Sequence, residues 1–123
     1  MAELPVSDEN ISLPRLPKRE FSYVEAVFTL DLGRKSKRSG YRPLWRIPRQ
    51  GAEPFLVGLN EMALVDRPEL MPGQTAVTKW IFLPEVQGYV EDRLKPGAVF
   101  EICEGNLRVG SVRVREVVHE PER

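Results

Sequence analysis

Cysteine and histidine are nearly missing from this chain: Cys103 and His119 are single representatives among 123 residues. One cysteine excludes an internal disulfide, a CxxC redox pair and a cysteine-based zinc site. One histidine with no cysteine near it argues against a metal centre or a Cys–His nucleophile pair. No window approaches the ~18 apolar residues of a spanning helix, and the first residues lack the apolar stretch of a secretory leader. The expected location is therefore cytoplasmic, off any membrane, where the sequon Asn10-Ile11-Ser12 has no meaning. The phosphate-loop pattern GxxxxGK[ST] is missing, so no nucleotide is expected. Glu91-Asp92 is an adjacent carboxylate pair in a presumed loop, which says nothing of acid–base work. No constellation predicts an enzyme, and no catalytic, cofactor-binding or metal-binding residue is assigned.

Acids are missing from one place in particular. Gly33 to Gly51 holds Arg34, Lys35, Lys37, Arg38, Arg42, Arg46 and Arg49 without an Asp or Glu. The chain as a whole balances 18 basic against 18 acidic residues, so everything outside that stretch carries 11 cations against 18 acids. Such a split predicts one face that attracts polyanions and another that repels them. It points to binding rather than catalysis.

At this length the chain is one small domain with a real core. Residues 1–20 carry Pro5, Pro14 and Pro17 without an apolar period and are expected to be a flexible lead-in. The folded unit is expected over 21–119, with 120–123 as a tail. Eleven prolines and nine glycines divide the chain into short segments, as in an all-β protein. Val24, Ala26, Phe28, Leu30 and Leu32 alternate with more polar neighbours and predict a half-buried strand. Tyr41 to Ile47 reads as its return strand, at an edge or with an irregular start because Pro43 cannot donate to a ladder. Phe55 to Val65 reads as one bent strand, and Gln74 to Leu83 as a strand apolar on both faces. That second pattern fits a central strand or one whose outer side covers a partner. Glu85 to Leu94 reads as loop. Val99 to Glu104 and Leu107 to Val118 form a hairpin around Gly105-Asn106. In the last strand Leu107 and Val109 are out of phase with Val112, Val114 and Val118, which predicts a β-bulge at Gly110. Six strands and no helix result, and a small antiparallel barrel, closed or nearly closed, is the natural solution because closure removes their edges.

Several segments resemble the C-terminal (third) domain of bacterial elongation factor Tu. They are Glu25-Ala26-Val27-Phe28-Thr29-Leu30, Gly33-Arg34 leading to Gly40-Tyr41-Arg42-Pro43-Leu44-Trp45-Arg46, Pro72-Gly73-Gln74, and Phe100 to Gly110. The resemblance spans about Tyr23 to Val118. It implies a six-stranded antiparallel β-barrel, here as a stand-alone domain related to translation. It also implies contact with the T-stem of a tRNA through the Gly33-Arg34 loop and the Glu104-Gly105-Asn106 hairpin. Lys35 stands where that family usually has His, Leu44 where it has Gln, Asn106 replaces a second glycine, and Leu107 is interposed ahead of Arg108.

The expected site is thus a basic hairpin binding structured RNA, a tRNA-like stem or rRNA helix. Its residues are Arg34, Lys35, Lys37, Arg38, Arg42, Arg46 and Arg49, with Tyr41 (and Trp45) available for stacking and Gly105, Asn106 and Arg108 from the second hairpin. Two alternatives stand beside it. The charges could simply solvate a hairpin and blunt an edge strand. Or the domain could capture a protein, as a mimic of the elongation factor domain, a decoy or an immunity factor. Arg113 and Arg115 enlarge the patch if the last strand lies beside it. Cys103 reads as a small buried hydrophobe.

Overall fold

The computed structural model describes residues 16, 17 and 19–120; the expectations for 1–15, 18 and 121–123 lie outside them. Apart from one short helix, the regular structure of these residues is β. Its strands are β1 (Tyr23–Leu30), β2 (Leu44–Arg49), β3 (Ala52–Val57), β4 (Asn60–Leu64), β5 (Thr75–Phe82), β6 (Val99–Glu104) and β7 (Leu107–Val118), with one helix, α1 (Pro84–Val90). All seven belong to one sheet in the order β3-β2-β6-β7-β1-β5-β4, and every neighbouring pair is antiparallel.

The expected six-stranded barrel, closed or nearly closed, is corrected in its strand number, and its ladder is not closed. The segment read as one bent strand from Phe55 to Val65 is two strands, and they occupy opposite edges of the sheet. The break falls at Gly58-Leu59, where Leu59 takes a left-handed φ of 53°. A branched side chain resists that conformation, so the bend gives no glycine signal. Asn60 holds the corner from inside: its Nδ2 donates to the carbonyls of Pro43 and Val57. The ladder itself stays open, because β3 and β4 do not pair. The sheet is rolled all the same, since only Gly58 and Leu59 separate its two end strands.

Alternation along β1 buries Val24, Ala26, Phe28 and Leu30 completely. Against them sit Trp80 and Phe82 of β5, Trp45 and Ile47 of β2, Ile102 of β6 and Val112 and Val114 of β7. Trp45 is the hub, with ring centroids 5.2 Å from Trp80, 5.1 Å from Phe82 and 5.6 Å from Phe100. The edge-to-face contacts with Trp80 and Phe82 add to the gain from burying the rings. β2 is interior rather than an edge; it begins only after Pro43, and its register slips around Pro48, which has no N–H to offer.

The expected bulge is present one residue from its assigned place. Ile102 faces Gly110 and Cys103 faces Arg108, so Val109 is the extra residue. Gly110 is needed beside it: a Cβ there would fall onto the Thr29 carbonyl and within 2.7 Å of the Phe28 ring. The 85–94 segment, expected as loop, contains α1 with Pro84 in its first turn, where a missing N–H costs nothing. Gln87 of α1 is buried, and its amide binds both backbone groups of Phe21 and the carbonyl of Phe82. The helix thereby fastens the start of β1 to the end of β5.

Candidate functional site

The basic stretch is not a hairpin. β1 and β2 are separated in the sheet by β6 and β7, so residues 31–43 cross one end of the rolled sheet. On the way they sew its open seam. Lys37 exchanges two backbone hydrogen bonds with Leu70, and Gly40 and Tyr41 exchange two with Met62 of β4. Ser39 Oγ accepts from the Leu64 N–H. Backbone groups that an edge strand would leave unpaired are satisfied in this way.

The side chains follow the backbone down. Lys37 is only 11% exposed, and its Nζ donates 2.8 Å to Glu104 Oε2. The same oxygen accepts from the Tyr41 hydroxyl at 2.5 Å. Lys37 Nζ also stands 4.6 Å from the centre of the Tyr41 ring. Donation by Lys37, then by Tyr41, holds the Glu104 carboxyl below the usual range, with Arg34 contributing a further positive field. Burial first, and the hydrogen bond to Glu104 second, push the Tyr41 phenol far above its ordinary value. Tyr41 is therefore half-buried and occupied, and Trp45 is wholly core. Neither is free to stack on a base.

The other cations meet acids as well. Arg46 Nη1 donates 2.6 Å to Glu101 and its Nη2 donates to the Asn106 carbonyl. Arg108 bridges Asp31 and Glu101, both at 3.1 Å, so Arg46-Glu101-Arg108-Asp31 is a continuous chain of alternating charge. Arg42 donates twice to Glu61, and Arg38 lies 3.8 Å from Glu69, which also accepts from Ser36. Arg38 and Arg42 nevertheless remain 76% and 75% exposed. Among the described residues no carboxylate lies within 4 Å of Arg34 or Lys35, and Arg34 Nε is buried without a hydrogen-bond partner.

The structure thus gathers Arg34, Lys37, Tyr41, Arg46, Gly105, Asn106 and Arg108 at one end, and sets Arg38 and Arg42 beside β4. Gly105 supplies the positive φ of the β6–β7 turn. Arg49 is not part of the group: at the far end of β2, it donates to the Glu53 carbonyl and lies against Phe55. Arg115 pairs with Glu25, and Arg113 stands opposite Val27 and Val99 away from the loop. Cys103 is buried beneath this network, and burial pushes its thiol up, against the pull of Arg46.

Sequence reasoning missed the apolar residues among these charges. Leu32 is 80% exposed and rests on Gly73; Met71 and Leu107 are also exposed at this end. Leu32 continues the alternation of β1 past its last paired residue, a pattern that reads as one more core position. Among the described residues there is no cluster of His, Cys, Asp and Glu able to hold a metal ion, and no helix long and apolar enough to cross a membrane. Compared with protein-family models and with curated proteins, the chain has no match.

Proposed function

We propose that this chain is a non-enzymatic binding module whose recognition end is built by residues 31–43, 65–74 and 104–108, and that its ligand is a protein. The observation that carries this reading is the internal neutralisation of the basic stretch. Lys37, Arg38, Arg42 and Arg46 each have a carboxylate of the same chain within 4 Å. A phosphate arriving there would have to displace Glu104, Glu69, Glu61 and Glu101, which stay nearby and repel it. Balanced charge around exposed Leu32, Met71 and Leu107, with Tyr41 and arginines in their midst, is the composition of a protein-binding patch. Through its likeness to the elongation factor domain, the module would present a familiar surface to a translation-related protein, as mimic, decoy or immunity factor.

A second reading has an observation of its own. Arg38 and Arg42 are three-quarters exposed, and Lys35 is exposed beside them. Surface ion pairs of this kind contribute only about 0–1 kcal/mol. A tRNA-like stem or an rRNA helix could engage those three together with Arg34, in keeping with the resemblance.

Affinity capture from cell lysate, with and without nuclease, separates the two. The protein reading predicts a stoichiometric protein retained after nuclease and lost from the Leu32→Asp/Leu107→Asp variant. Recovery of RNA alone, with nothing held after nuclease, would defeat it in favour of the second.

A further inference from the structure

We propose that the outer face of β1 and β5 is a self-association surface on which two copies of this chain pack sheet to sheet. Three observations carry the inference.

The first is composition. β1 turns Tyr23, Glu25, Val27 and Thr29 outward, and β5 turns Thr75, Val77, Lys79 and Ile81 outward, since the alternate residues are buried. Ile81 is half exposed, and β4 extends the face with Glu61, opposite Ile81, and Ala63, opposite Lys79. Among the described residues, the buried core gathers on the opposite face of these strands.

The second is register. Glu25 stands directly opposite Lys79, Val27 opposite Val77 and Thr29 opposite Thr75. Tyr23 and Ile81 lie one step beyond Val24 and Trp80 on the same face. Consider a two-fold axis in the contact plane, parallel to the strands and midway between β1 and β5. It places each β1 residue over the β5 residue of the same row in the other copy. Glu25 then meets the second copy's Lys79, Lys79 meets its Glu25, Val27 meets Val77, and Tyr23 meets Ile81. Every row is complementary to itself, as an isologous interface requires.

The third is an unused charge. Glu25 turns to Arg115, at 3.4 Å, rather than to Lys79 beside it. Lys79 has no carboxylate within 4 Å among the described residues; its ammonium rests 4.7 Å from the centre of the Tyr23 ring. A second copy supplies the missing acid.

Some ten side chains per copy fall short of the ~20–30 of a standard interface, so the dimer is weak and concentration-dependent. Sedimentation equilibrium of the whole chain, from about 1 μM to about 1 mM, reads it directly. Wild type is expected to pass from monomer to dimer across that range. Lys79→Glu alone and Glu25→Lys alone each set like charges face to face and are expected to weaken association at least tenfold. Circular dichroism and an unchanged unfolding midpoint show that each remains folded. The decisive arm mixes those two variants: both cross-copy pairs become Glu–Lys again, and a heterodimer of wild-type strength should return. The inference is overturned if wild type stays monomeric throughout, if either reversal leaves association unchanged, or if the mixture does not recover it.

Discussion

The inner face of β1, β5 and β7 and the loop end of the sheet are held together by different means. The first is dry: Phe28, Trp80, Phe82 and Val112 are buried, and the rings of Phe28, Trp80 and Phe82 pack edge-on against one another or against Trp45 of β2. The second is a net of single hydrogen bonds and ion pairs, most of them half open to water. Burial of a large ring contributes several kcal/mol and cannot be replaced by solvent, whereas an exposed ion pair exchanges for water almost without loss. The inner face therefore fixes the architecture, and the loop end can change its partners while the fold stands.

Substitutions should divide along that line. Trp80→Ala removes a wholly buried ring in contact with Trp45 and Phe28 and should lower stability by about 3–5 kcal/mol, read as a fall in the urea midpoint. Gly110→Ala drives a methyl into the Thr29 carbonyl and the Phe28 ring and should cost about 3 kcal/mol in the same assay. Gln87→Leu keeps the bulk but strands three backbone groups of Phe21 and Phe82, for a loss of about 2 kcal/mol and faster hydrogen exchange at the Phe21 amide.

At the loop end the effects shrink. Glu104→Gln weakens the Lys37 and Tyr41 contacts and should cost about 1 kcal/mol at neutral pH, since Glu104 is partly open to solvent. The sign with pH follows from the lowered Glu104 carboxyl. Its contribution is complete above the ordinary glutamate value of about 4.3 and is lost as the pH falls through the lowered folded value. Wild type and Glu104→Gln should thus differ near neutrality and converge in acid. Arg38→Ala with Arg42→Ala should change stability by no more than about 0.5 kcal/mol. A large loss there would erase the distinction between the two regions.

Legibility in the sequence follows the same division. Period-two alternation in β1 is a local signal and marks its buried face correctly as far as Leu30. β5 is apolar on both faces, and its pattern does not say which is buried. The phase slip in β7 locates its bulge to within a residue of Val109. Seven residues of α1, with Gly88 inside, are too few to show a helical period. The corner at Leu59 is hidden because its left-handed φ falls on a branched residue rather than a glycine. The candidate site was legible as composition only. Glu104 lies 67 positions from Lys37, Glu101 55 from Arg46 and Glu61 19 from Arg42, so the acids that neutralise the basic stretch arrive through the fold. Alternation could have shown that Glu101 points outward, but strand order alone brings it beside Arg46.

Neutralisation of the basic stretch is most directly tested by binding a double-stranded RNA stem at several salt concentrations. If only Arg34 and Lys35 are free to meet phosphates, the slope of log K against log salt should be no steeper than about −2. A slope near −6, as seven available cations would give, together with tight binding abolished by changing Arg34, Lys35, Lys37 and Arg38 to Ala, would contradict the account.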